Sequence, residues 1–363
     1  MASSATKDIA RHRVRAQLLA RTTTLARPAE VVGHLGAVQA QDYAGALWAI
    51  GVRLAGARAT DVERAIEERT LVRTWPMRGT LHFVASADAR WMVDLLAPRA
   101  AAGAASRLRS MGIDERVVSR ARRTLEKQLE GGRRLTRPAA YRALEQTGIS
   151  TRGERGLHVL WRLAHDGVLC LGPREGKQPT LVLLEEWLPG AKRLPRDEAL
   201  AELARRYFTS HGPATDRDFA WWSGLTLADA RPAIDSAGKA LKQETLAGQP
   251  HWFATSFGGR VSTRSTGLAH ALPPYDELLV GYADRTAALQ APGAVRLTPF
   301  DVLGPVVVVD GQVVATWRRP VRGRRAACSI SWLTSPSKAR TTRVGRALGL
   351  YARFFGFETE GPR

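Results

Sequence analysis

The chain has 363 residues, 44% hydrophobic and 24% charged, so it can bury two or three cores and stay soluble. No stretch approaches the roughly 18 consecutive apolar residues of a membrane helix, which excludes an integral membrane protein on pattern. With 54 Lys+Arg against 34 Asp+Glu, the net charge is +20 and the pI about 11.1, which points to a polyanionic partner, most simply nucleic acid.

In chain order, residues 9–20 read as a helix. Pro28 suits the first turn of a second helix through Val31, Val32, Leu35 and Val38. A third starts at Asp61, with Thr60 as N-cap and Val62, Ala65 and Ile66 as its buried face. "TLVRTWPMRGTLHFVAS" alternates and is rich in β-formers, so it reads as two strands meeting near Pro76–Gly79. Helices followed by a hairpin make a winged-helix pattern. It recurs in "LTRPAAYRALEQTGI", "GERGLHVLWRLAHDGV" and "LCLGPREGKQPTLVLL": helix, recognition-type helix and wing. It recurs again from "RDEALAELARRYFTSHG" through "LKQETLAGQPHWFAT". The expected organisation is a first winged helix over 10–97, a connecting helical segment over 98–135, a second winged helix over 136–190 and a third over 196–257. Over 265–355, "VVVVDGQVVATWRR" is a strand, an Asp-Gly turn and a strand, "RAACSISWL" another strand, and "KARTTRVGRALGLYARFFG" a closing helix. That texture predicts a small β-barrel with a helix, and an α+β class for the whole.

Codon bias toward Arg is the plain alternative for the charge. It explains why only seven of the basic residues are Lys, but not the shortage of acids. From Arg318 to Arg346 there are nine Lys+Arg and no acid, so that stretch cannot pair internally and is a candidate for phosphate contact. Its first part carries Arg318, Arg319, Arg322, Arg324 and Arg325. Arg174 and Lys177 stand at the second wing, where loop tips are often charged for solvation alone. His158 and His165, and Trp221–Trp222, read as packing residues. The two cysteines, Cys170 and Cys328, make no disulfide framework and fit a reducing compartment. The "MASSATKDIARHRVRAQ" start has no apolar h-region, so a cytoplasmic, nucleoid-associated protein is expected. There is no CxxC or HExxH spacing, no GxxxxGK[ST] loop and no convincing GxGxxG, so neither metal nor cofactor is expected.

The odd feature is "GAVQAQDYAGALW", with Gln39 and Gln41 inside an apolar run. Amides do not titrate, but they donate and accept hydrogen bonds. Residues i and i+2 share a direction in extended or bent backbone, not in a helix. If the pair acts together, the helix from Pro28 must end near Gln39, with Gly45 helping the chain to turn. The plain alternative is that both amides satisfy backbone groups at a helix end.

Six blocks in order, "GAVQAQDYAGALWA", "WPMRGTLHFV", "GERGLHVLWRLAHDGVLCLGPREGKQPTLVLLEEWLP", "HGPATDRDFAWWSGL", "PPYDELLVGYADR" and "VVVVDGQVVATWRR", resemble the winged-helix DNA glycosylases of the AlkZ/YcaQ type over about residues 10–350. The resemblance implies three tandem winged helices and a C-terminal β-barrel, C-shaped around a DNA channel. It implies excision of N-alkylated purines, with some members unhooking interstrand cross-links, and it maps the family's catalytic signature onto Gln39 and Gln41. Amides suit that chemistry, because a base alkylated at guanine N7 is cationic and leaves readily. What remains is to place a water and stabilise an oxocarbenium-like sugar. Asp42 reads as structural. Arg78 and His82 of "MRGTLHF" are in phase on one strand and are candidates to line the channel, a buried hydrogen-bonded His being the plain alternative. The hairpin that probes the duplex falls either at 317–328 or in the third wing near His251. No Lys near the pair in sequence offers a Schiff base, so a monofunctional, monomeric glycosylase acting on duplex DNA with alkylated bases is expected. A non-catalytic DNA-binding regulator or lesion sensor, and a repair scaffold, are the competing readings.

Overall fold

The computed structural model describes residues 4–20, 25–256, 267–318, 321–322, 325–326 and 328–359. It is a mixed α/β fold that divides into two compact units. The first comprises Met1–Val62, Leu200–Trp222 and Thr226–Arg363; the second is Glu63–Ala199 with Ser223–Leu225. Among the described residues no helix is long and apolar enough to cross a membrane.

In the second unit, strands Leu71–Met77 and Thr80–Ala85 turn through Arg78 and Gly79, both at positive φ (54° and 71°). A two-residue turn of that hand matches the right-handed strand twist. Strands Leu169–Glu175 and Gln178–Leu183 form the next hairpin, and Arg73 lies opposite Leu171, so both hairpins share one antiparallel sheet. Helices Arg137–Gln146 and Arg155–His165 precede the second hairpin in the expected order. The connecting segment is two helices, Ser86–Ser110 and Glu115–Leu129, which lend Leu108, Val118, Ala121, Leu125 and Leu129 to the same core as Val159, Leu163, Leu169 and Leu181.

The first unit holds helices Ser4–Ala16, Pro28–Leu35 and Tyr43–Gly51, then Asp216–Ser223, Leu227–Ala237 and the hairpin Leu241–Leu246/Gln249–Ala254. Helix Tyr43–Gly51 departs from expectation. Gly45 does not bend the chain but sits in this helix, its N–H donating to the Asp42 carboxylate at 3.1 Å as an N-cap bond. Gly51 faces the Phe354 ring, where a Cβ would meet ring atoms at 2.2 Å.

The expected C-terminal barrel is not closed. The strands run in the order Ser329–Trp332, Gln312–Arg318, Val306–Val309, Ala269–Leu272, an open four-stranded antiparallel sheet. Four strands are too few to curl round and pair edge to edge. Burial comes from covering both faces instead. Val306, Val308 and Val313 pack with Val14, Leu19, Leu278 and Val302. Trp48 and Trp317 donate to the carbonyls of Ala271 and Leu272 and stack edge-on against Tyr351 of the closing helix Lys338–Phe355. This explains why "VVVV" does not alternate: both sides of the strand are buried.

Each unit shelters a histidine whose charged form burial disfavours: His165 and His270 are each held near a pKa of about 4, against 6.5 in a free chain. The folded state then refuses protons that the unfolded state takes. Stability should be full above about pH 6.5 and fall as pH drops toward about 4. Denaturant midpoints measured across that window test this; a flat profile contradicts it.

Candidate active site

The helix from Pro28 ends at Leu35, because Gly36 turns away at φ +81°. A Cβ there would meet the Trp222 ring at 3.1 Å, so the turn is reserved for glycine. The chain emerges extended through Val38–Gln39, and Asp42 starts the next helix. Gln39 therefore ends a two-residue strand and Gln41 lies at the bend that follows it, both in the short link between two helices. Gln39 is half-buried and Gln41 exposed. The Oε1 of Gln39 is buried with no hydrogen-bond partner in the structure. This amide oxygen satisfies no backbone group at the helix end.

The backbone of Gln39 is tied to a buried polar cluster. Its N–H donates to Oε1 of Glu277 at 3.2 Å. The other oxygen of Glu277 accepts from Trp222 Nε1 at 3.0 Å and faces His211 Nε2 at 3.3 Å. Glu277 and His211 are wholly buried, and burial lowers the pKa of His211. Ser210 Oγ meets His211 Nδ1 at 2.8 Å, and Tyr207 stacks on the imidazole at 4.7 Å. Beside them Arg53 binds both oxygens of Asp276 (2.8 and 2.9 Å) and donates to the backbone oxygens of Gln17 and Ala49. Gln17 in turn donates to the Glu277 carbonyl at 3.1 Å and to Tyr282 at 3.0 Å. Arg13, over the Tyr282 ring at 3.6 Å, pairs with Asp218 at 3.5 Å.

Sequence reasoning missed Glu277, Asp276, His211, Arg53 and Gln17. The signal was there for two of them: the acidic pair of "YDELLVGY" interrupts an apolar run, as the glutamines do. Trp222 is core, as expected, but Trp221 is 46% exposed, with Arg285 5.4 Å from its ring.

The remaining candidates fall in several places. In the second unit His82 is completely buried, so it offers no surface to a phosphate. Its Nδ1 lies 2.9 Å from the Thr80 carbonyl, and its Nε2 is 3.1 Å from Arg78 Nη2. The carbonyl demands a proton on Nδ1, leaving Nε2 to accept from Arg78. His82 thus steers Arg78, which lines a groove of about 660 Å³ with Arg99, Trp161 and Gly224. Arg174 donates to the Lys177 carbonyl at 2.6 Å, which brings these two together at the tip of the second hairpin. On helix Arg155–His165, Arg162 is taken up by Asp166 and Glu115, and Arg155 by the carbonyls of Met111, Gly112 and Ser150. In the first unit Arg318 is exposed at a strand end. Arg322 and Arg325 oppose each other in a short ladder, while Arg319 and Arg324 lie outside the described residues.

The model of the AlkZ-like DNA glycosylases matches residues 32–354. An interstrand DNA cross-link repair glycosylase of Streptomyces sahachiroi is 28% identical over 307 residues, covering 79% of this chain and 81% of the relative. The solved structure of Streptomyces sahachiroi DNA glycosylase AlkZ aligns with a TM-score of 0.80 at 25% identity, covering 98% of both chains. The match begins just ahead of the Gln39–Gln41 link and runs to the closing helix, so it takes in the link together with Arg53, His211, Trp222, Asp276 and Glu277: the chain belongs to the AlkZ-like DNA glycosylases and is a DNA glycosylase.

Proposed function

We propose that the protein hydrolyses the N-glycosidic bond of cationic N-alkylated purines in duplex DNA, N7-alkylguanine above all, as a monofunctional and monomeric enzyme. The observation that carries this reading is the buried, unpartnered Oε1 of Gln39 on a peptide anchored from behind. An amide oxygen held in place accepts a hydrogen bond from a water and turns its dipole toward developing positive charge. The C1′–N9 bond breaks and its electron pair neutralises the cationic purine. Water oxygen bonds to C1′, and its proton passes to solvent. Gln41, exposed on the same link, provides a second amide to orient that water or the sugar.

DNA is gripped through phosphates in this reading. The modules at 10–97, 136–190 and 196–257 act as winged helices, joined by 98–135 and completed by 265–355. Arg78, Arg174, Lys177 and Arg318 are the proposed contacts, with the arginines of 319–325. The closing helix adds support: Lys338, Arg340, Arg343 and Arg346 crowd its N-terminal half with no acid in its first turn. Cations there oppose the helix dipole, an arrangement that stability alone disfavours and a polyanion rewards. The name of the Streptomyces relative favours a second substrate, the interstrand cross-link.

The test is release of N7-methylguanine from a defined duplex, run beside a duplex with an N7-linked interstrand cross-link. Release without strand cleavage, and without a borohydride-trapped adduct, is expected. A trapped adduct contradicts the monofunctional mechanism. A folded protein that binds duplex but releases neither base contradicts the substrate assignment.

A further inference from the structure

The buried cluster of the first unit contains two ion pairs and a third carboxylate. Arg53 is paired with Asp276, and Arg13 with Asp218, and all four side chains are buried. Glu277, at 0% exposure, stands beside these pairs, with His211 as its titratable neighbour, and burial disfavours the charged form of that imidazole. Two N–H groups, from Gln39 and Trp222, donate to its two oxygens, one to each, and His211 Nε2 lies 3.3 Å from the second. Such donors stabilise an ionised carboxylate, whereas a protonated one would seek an acceptor.

Keeping a carboxylate away from water is costly, and an apolar side chain of similar volume would serve packing equally well. Its position supplies the reason to keep it. One oxygen holds the peptide of Gln39, whose own side-chain oxygen is buried without a partner. The carboxylate also lies behind the link where a cation develops during base loss.

We infer that Glu277 is the positioning residue of the Gln39–Gln41 link, fixing Gln39 through its peptide N–H and setting a carboxylate charge beneath the reacting sugar. This rests on the glycosylase reading above. Trp222 and His211 hold the carboxylate, so they act on the reaction through Glu277 and not through the substrate.

The experiment is single-turnover release of N7-methylguanine by wild type, Glu277→Gln, Trp222→Phe and the double variant, with duplex affinity and thermal unfolding measured on each. Glu277→Gln keeps the volume and an oxygen for the Gln39 N–H but removes the charge. Its rate at saturating enzyme should fall about 10- to 100-fold while affinity for the lesion duplex stays within about twofold. Trp222→Phe removes one donor to the carboxylate, so its rate should fall several-fold in the wild-type background and hardly further in the Glu277→Gln background. A structural role alone would lower the unfolding temperature and leave the rate of the folded enzyme unchanged. Folded Glu277→Gln at the wild-type rate overturns the inference and leaves the glycosylase reading standing. Should Glu277→Gln not fold, Trp222→Phe takes its place, and a wild-type rate in that variant overturns the inference. Wild type that releases no base removes both readings together.

Discussion

Gln39→Ala is expected to lower single-turnover release of N7-methylguanine by about 100- to 1,000-fold, the range seen when one preorganised oxyanion-type contact is removed. Duplex affinity should change by less than about threefold, because Arg and Lys contacts to phosphate supply it. The size of the loss follows from anchoring. The Gln39 peptide is held by Glu277 at 3.2 Å, which fixes the backbone from which its side-chain amide projects. Gln39→Asn should lose nearly as much, since an amide one methylene short misses the same point in space. Gln41 is exposed and less constrained, so Gln41→Ala should cost about 10- to 100-fold. Circular dichroism must show each variant folded. A folded Gln39→Ala within about threefold of wild type would remove Gln39 from the catalytic machinery.

The largest effect on stability is expected from Arg53→Met. Arg53 is buried at 1% exposure and makes five hydrogen bonds, to Asp276, Gln17 and Ala49. Its loss leaves the Asp276 carboxylate as an unpaired buried charge, which costs about 3–5 kcal/mol. Arg53→Lys should not rescue it, because a single ammonium does not reproduce a planar fork that binds two carboxylate oxygens and two carbonyls. By contrast, Arg122→Ala breaks the exposed i,i+4 pair with Glu126 and should cost under about 0.5 kcal/mol. Urea unfolding of the three variants decides the matter. A shift below about 1 kcal/mol for Arg53→Met would mean that the cluster relaxes around the missing cation. Because Asp276 accepts from the Leu278 N–H and starts the turn that carries Glu277, base release should fall along with stability.

Local elements were legible because their signals are local. The Arg78–Gly79 and Asp310–Gly311 turns announce their hairpins through residues that tolerate positive φ. Pro28 opens one helix as expected, but Gly36 ends it at Leu35, and Val38, expected on its face, falls in the strand that follows. The barrel was not legible: closure depends on whether two edge strands meet, and no stretch of sequence carries that information. Helix Tyr43–Gly51 was missed because it is buried nearly all round and shows no amphipathic stripe.

The glutamine pair stood out from sequence for a similar reason. Its spacing of two is informative only outside a helix, and Gly36, which ends one helix, and Asp42, which caps the next, confine the pair to such a link. His82 shows the limit: its phase along the strand predicted a shared face with Arg78, but not that the imidazole would be sealed inside and donate to Thr80.

The sequence alone thus determined the order of helices and hairpins, the basic balance and the two amides, since each rests on short-range periodicity, turn chemistry or composition. Only the tertiary structure decided what lies behind those amides. Gln17, Arg53, His211, Trp222 and Glu277 are separated by up to 260 positions between Gln17 and the Glu277 carbonyl it meets. Their assembly is a property of packing: burying one carboxylate forces the chain to bring N–H donors from remote segments to it, and one of those donors is the peptide of Gln39.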